Sequence, residues 1–157
     1  MTRLYGRAPR GTRCHASVPH GHWQTTTMIS SVRLDGTTAA MAIPGATDTE
    51  VFRAYVAEVL CPSLQHGDIV IMDNLAPHKS DPTLALISKA GAQVLFLPAY
   101  SPDFNPIEKM WSKVKSLLRA TEARTPADLT LAIGHALAQV TPKDALGWFT
   151  SCGYSFC

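Results

Sequence analysis

Hydrophobic and polar positions change rhythm several times along the chain, and each change predicts an element. Residues 1–22 are rich in Arg, Gly and Pro and follow no period. They read as a basic arm or loop, with a short strand near 12–18. Next, QTTTMISSVRL and TTAAMAIPG, both β-branched and apolar, flank Asp35-Gly36, which predicts a β-hairpin. Thr47 and Glu50 stand in T-x-x-E spacing, a capping box for a helix that carries Val51, Tyr55, Val59 and Leu60 and ends at Pro62. DIVIMDN and AQVLFLP are short, nearly unbroken apolar runs, as expected of strands covered on both faces. Between them, residues 79–90 read as a helix, with Pro82 in the first turn and Gly91 just past the end.

The rest of the chain has helical spacing. Asn105 is a candidate cap and Pro106 suits the first helical position. Ile107, Met110, Trp111, Val114, Leu117 and Leu118 then form one apolar stripe. Thr125-Pro126 opens a further helix to about Val140, and Thr141-Pro142 a last one ending near Gly153, so that 126–153 is a C-terminal helical region. Hairpin, helix, strand, helix, strand and helices make a mixed α/β sheet with helices on both faces. Right-handed crossover sets strands 69–73 and 93–97 side by side and parallel, with ligands expected at their carboxyl ends.

Length and composition fit one globular domain: 157 residues, 46% apolar and 17% charged. No apolar run approaches the ~18 residues that a membrane span needs, and the N-terminus lacks the apolar segment of a secretory signal. A cytoplasmic, nucleoid-associated protein is the expectation. Cys14, Cys61, Cys152 and Cys157 form no CxxC pair and read as reduced thiols. The net charge of +2 is unevenly spread. Arg3, Arg7, Arg10 and Arg13 occur in a stretch without acids, and Lys109, Lys113, Lys115, Arg119 and Arg124 face only Glu108 and Glu122 in theirs. Two basic patches suit a polyanion partner, or simply a solvated surface.

Two carboxylates stand out. Asp73 closes the strand IVIMD where it opens into a loop, and Asn74 follows. Both could be turn-formers capping the next helix. Glu108 is the third residue after the cap Asn105, where it can bond back to the cap's N–H. As a pair they mean more. With the two strands adjacent, the loop 98–105 returns the chain to the same sheet edge and brings Glu108 toward Asp73. Converging carboxylates there would hold Mg²⁺ or Mn²⁺, ions suited to two-metal phosphoryl transfer, while basic helix residues hold the phosphate backbone. His78 shares the loop after Asp73 and could touch metal, phosphate or the attacking group. His15, His20 and His22 beside Trp23 match no common metal motif.

GDIVIMDNLAPHKS followed by VLFLPAYSPDFNPIEKMWSKVK resembles the catalytic core of the insertion-sequence family 630 transposases, the bacterial relatives of mariner-type elements. RLYGRAPRG, the RLDGTT hairpin and SCGY resemble the same family, and 34 residues separate Asp73 from Glu108. The resemblance implies a DDE catalytic domain with an RNase H-like mixed sheet flanked by helices. It implies metal-dependent DNA cleavage and strand transfer in DNA transposition at a two-metal Mg²⁺ or Mn²⁺ site. Asp73 would be the second carboxylate and Glu108 the third, with Asn74 and His78 auxiliary. Lys109, Lys113, Lys115, Arg119, Arg7 and Arg10 would contact DNA. The partners implied are transposon ends and target DNA, with a homo-oligomer or a full-length transposase as further partners and no membrane. Ala99 stands where the family usually has a second proline. The first aspartate lies, in the family, on a central strand ahead of the segment that RLYGRAPRG resembles, so this chain is expected to be an N-terminally truncated domain lacking that strand. Neither Asp35, in a turn, nor Asp48, in a helix start, is a good substitute. The expectation is a chain inactive alone, with a non-catalytic DNA-binding or transposase-inhibiting fragment as the alternative.

Overall fold

The hairpin forms around Asp35-Gly36. In the computed structural model, which describes residues 5–17 and 24–155, β1 (Thr26–Val32) and β2 (Thr38–Pro44) pair antiparallel, with Val32 opposite Thr38. Asp35 Oδ1 accepts from the Thr37 amide at 2.8 Å, and Gly36 adopts a φ of 85° that favours glycine. Packing adds a second reason for glycine. A Cβ at Gly36 would stand 2.8 Å from the backbone nitrogen of Pro142, where the last helix begins.

The helix α1 (Thr49–Tyr55) is capped by Asp48, not by the expected Thr47. The Asp48 carboxylate accepts from the Val51 amide at 2.8 Å, and Glu50 pairs with Arg53 rather than reaching back to the cap. The helical run ends within a residue of Pro62, but not as one α-helix. The chain continues through a π-helical turn, Val56–Leu60, and a 3₁₀ turn, Cys61–Ser63, before extending at Leu64. Strands β3 (Ile69–Met72) and β4 (Gln93–Phe96) pair in parallel, with Met72 opposite Phe96. Between them lie a 3₁₀ turn, Ala76–Lys79, and α2 (Asp81–Lys89). Three helices follow: α3 (Pro106–Thr121), α4 (Pro126–Leu137) and α5 (Pro142–Ser151).

Three expectations about the strands need correction. The single mixed sheet is not formed among the described residues, which make two separate two-stranded sheets. Strands β3 and β4 are also not covered on both faces. Met72 is buried, but Ile69 is 61% and Leu95 50% exposed, because no described helix covers that side. The predicted strand near 12–18 is missing over residues 12–17, which are irregular and exposed. Arg3, His20, His22, Trp23 and Cys157 lie outside the described residues. Cys14, Cys61 and Cys152 are free thiols. No described helix is long and apolar enough to cross a membrane.

Two cores share the hairpin. One gathers Phe52, Tyr55, Val56, Leu60, Met72 and Ile87, with Ile29 and Met41 against it. The other gathers Met110, Val114, Leu118 and Ile133, with Met28 and Val32 against it. Alternate residues of β1 thus enter opposite cores, as the two-residue period of a strand requires. The two sheets are joined at one end by an Arg33–Asp68 fork of 2.5 and 3.0 Å. Hydrogen bonding to Arg33 holds the Asp68 carboxyl below its usual range.

A polar tether fixes α5 to α3. Lys113 Nζ donates to Asp144 Oδ2 at 2.6 Å and to the Gln139 carbonyl at 2.7 Å. Asp144 also completes a capping box with Thr141. These bonds, the one from Lys113 first, lower the Asp144 pKa from 3.8 to about 2. A carboxylate depressed in the fold stabilises it above its unfolded pKa and loses that contribution as pH falls through the folded one. An acid titration of Trp148 fluorescence is therefore expected to show a loosening step between pH 3.8 and about 2 that Asp144→Asn lacks. A titration identical in the two proteins would show that the tether contributes nothing.

Candidate metal and nucleic-acid site

Asp73 is the first residue past β3, and the adjoining loop is bound tightly to the strand ends. The Leu97 amide donates to the Met72 carbonyl at 2.8 Å, and Asn74 Nδ2 donates to the Leu97 carbonyl. Asn74 thus clips the exit of β3 to that of β4, a role that its position beside Asp73 did not reveal. Asp73 Oδ1 accepts from the Leu75 amide at 3.2 Å. The same oxygen lies 2.6 Å from His78 Nδ1, within ion-pair distance but without hydrogen-bond geometry, and that buried nitrogen has no hydrogen-bond partner among the described residues. The His78 ring stacks on Phe52, centroids 4.2 Å apart. His78 therefore lies beside one oxygen of Asp73, and the carboxylate is half-exposed.

Glu108 stands in the first turn of α3, and its carboxylate is exposed. The expected bond back to its cap does not form. The Asn105 amide already donates to the Pro102 carbonyl at 2.9 Å, so no N–H remains for the glutamate. Asn105 caps alone, its side chain accepting from the Ile107 amide. Among the described residues the Glu108 carboxylate has neither hydrogen-bond nor ion-pair partner, so it takes no part in the cap. The loop ahead of it is rigid for a visible reason. Pro102–Phe104 forms a 3₁₀ turn, and the Tyr154 hydroxyl donates to the Phe104 carbonyl at 2.9 Å. Tyr154 belongs to the SCGY segment, and no local pattern tied it to a loop 50 residues earlier.

Asp73 and Glu108 border one cavity of about 540 Å³ between β1, β3 and the start of α3, with Arg33 and Asp68 also on its wall. Asp35 and Asp48 are engaged elsewhere, in a turn and a cap. Among the described residues no three His, Cys, Asp or Glu side chains cluster as a metal-binding group.

The basic residues separate by helix face. Lys115 and Arg119 lie seven and eleven positions after Glu108, so at 3.6 residues per turn all three share a face. Lys113 points elsewhere and is engaged by Asp144 and Gln139, which removes it from the groups free for phosphate. Lys109 lies near the buried Cys152 thiol. Arg7 and Arg10 are exposed on the irregular arm, as is Arg13.

The cap assignment has a measurable consequence. Asn105→Ala is expected to cost about 1 kcal/mol of unfolding free energy in urea. Glu108→Gln should cost less than ~0.5 kcal/mol, since only its attraction to the helix dipole is lost. Equal losses would mean that Glu108 shares the capping.

Among curated proteins none matches the chain. A family model described as DDE superfamily endonuclease matches residues 1–130, which include β1–β4, Asp73 and all of α3. The chain belongs to the DDE superfamily endonucleases.

Proposed function

We propose that this chain is the catalytic domain of an insertion-sequence transposase of RNase H-like organisation, in which Asp73 and Glu108 hold Mg²⁺ or Mn²⁺ and DNA phosphates run along α3. One observation carries the reading: two carboxylates from separate elements border the same cavity, and one of them has no internal partner. Such donors suit a hard cation, because Mg²⁺ is commonly bound by one or two carboxylates, with waters and phosphate oxygens filling its remaining positions. When bound, the ion would supply activation of a water or a DNA 3′-hydroxyl and neutralise charge on the phosphodiester.

The chain's own residues do the positioning. The Leu75 amide donates to one oxygen of Asp73, with His78 beside it, and leaves the other free. Asn105 and Tyr154 fix the turn from which Glu108 projects. Lys115 and Arg119, on the Glu108 face, would pair with phosphates on either side of the reacting one, and Lys109, Arg7 and Arg10 would extend that contact. Two carboxylates do not make a complete two-metal clamp, and the described residues hold no third ligand in the cluster. The reading is that the chain binds metal and DNA but does not cut DNA by itself.

Two measurements test this. In fluorescence anisotropy with duplex DNA, Lys115→Ala and Arg119→Ala should each weaken binding about equally across sequences and reduce the salt slope by about 1. Supercoiled plasmid incubated with the chain and Mn²⁺ should show no nicking above the level seen with Asp73→Asn. Nicking that Asp73→Asn abolishes would contradict the inactivity. Affinity unchanged in both lysine and arginine variants would remove α3 as the DNA surface.

A further inference from the structure

The turn that ends α5 aims one side chain back at the carboxylate site. The Gly153 amide donates to the Thr150 carbonyl at 3.0 Å and the Tyr154 amide to the Phe149 carbonyl at 3.1 Å, and Gly153 has a φ of 91°. This is a Schellman motif, in which glycine takes the left-handed position and the residue after it packs back on the helix. Tyr154 does so, its ring meeting Phe149 edge-on with centroids 5.7 Å apart. The hydroxyl then reaches the Phe104 carbonyl at 2.9 Å, in the turn just ahead of α3. Among the described residues it is the only hydrogen bond to that turn from elsewhere in the chain. Desolvation raises the Tyr154 pKa, so at neutral pH the hydroxyl keeps its proton and donates.

The other end of α5 is anchored away from the carboxylates. Lys113, midway along α3, holds Asp144 near the start of α5. Thr141 and Pro142 back onto Gly36 of the hairpin turn. Tyr154, just past the end of α5, meets Phe104, just ahead of α3. The two helices are therefore antiparallel, and α5 flanks the first half of α3. Phe149 lines the cavity with Asn105, Ile107 and Trp111. The turn that carries Glu108 is thus closed by a segment whose own footing lies on the hairpin and on the middle of α3.

We propose that α5 and the tail through Tyr154 form a positioning strap, through which docking of the C-terminal segment and cation binding at Glu108 are linked. The Tyr154 hydroxyl is the positioning group, and it acts through the Phe104 turn rather than on the ion. The proposal rests on the metal reading above. Glu108 has no internal partner to hold it, so its place depends on the turn beneath it. A turn fixed before the ion arrives removes the entropy cost of ordering it on binding. Linkage then works in both directions: the factor that the strap adds to cation affinity is the factor that the cation adds to docking of the strap. One neutral hydrogen bond corresponds to a factor of about 3 to 10.

The test is Mn²⁺ calorimetry on the full chain, with amide exchange and urea unfolding measured on the same proteins. Tyr154→Phe removes the hydroxyl and keeps the ring against Phe149. Gly153→Ala disturbs the turn through its φ alone, since nothing lies within 4 Å of the added Cβ. Both variants should remain folded and bind Mn²⁺ about 3- to 10-fold more weakly than the unaltered chain. In the unaltered chain, saturating Mn²⁺ should slow exchange of the Gly153 and Tyr154 amides by a similar factor, and in Tyr154→Phe it should not. A hydroxyl with a merely structural role would lower the urea midpoint and leave both metal readouts unmoved, and that result would overturn the proposal. Exchange at these amides that ignores Mn²⁺ in the unaltered chain, where calorimetry shows the ion bound, would overturn it too. Absence of Mn²⁺ binding by the unaltered folded chain is a separate failure, which removes the metal reading itself and the linkage with it.

Discussion

The apolar stripe of α3, from Ile107 to Leu118, closes the second core against β1 and α4, and by doing so it fixes where the first turn of the helix stands. Met110 and Val114 are fully buried in that contact. Each contributes about 1.5–3 kcal/mol relative to exposure, so the helix cannot rotate about its axis without losing several such terms. Rotation is what would carry Glu108 away from the cavity. The first turn is fixed independently by Asn105 from within and by Tyr154 from the chain's far end. An exposed carboxylate with no partner of its own therefore occupies a set position.

The opposite wall is fixed by different means. Parallel pairing of β3 with β4 ends at Met72 and Phe96, and the Asn74 side chain bonds across the ends. Asp73 emerges from that junction with one oxygen against His78, whose ring rests on buried Phe52 of α1. The first core thus positions one carboxylate and the second core the other. The hairpin, whose alternate residues enter both cores, keeps the two in register, and the Arg33–Asp68 fork sets the separation of the sheets at the far end.

Elements with strong local chemistry were readable from the residues: the Asp-Gly hairpin, the helices opened by Asn-Pro and Thr-Pro, and the adjacency of two apolar strands. Asp73 and Glu108 stood out by their placement at a strand end and in a helix start, and both border the cavity. What escaped was decided by competition or by distance along the chain. Asp48 displaced Thr47 as a cap because the next residue offered the better acceptor. Glu108 lost its capping role because Pro102 had already taken the Asn105 amide. Lys113 looked like any other base on α3 until Asp144, 31 residues later, claimed it. The strands looked doubly covered because an apolar run reports composition, and only the packing reveals that Ile69 and Leu95 face outward.

Convergence of Asp73 and Glu108 on one cation is the claim on which the functional account stands, and Mn²⁺ calorimetry on the purified chain tests it most directly. The account predicts saturable binding at a single site that both Asp73→Ala and Glu108→Ala abolish, with each variant folded as judged by circular dichroism. Binding that survives either substitution, or no binding to the folded chain, would contradict it, because the two carboxylates would then not be acting on the same ion.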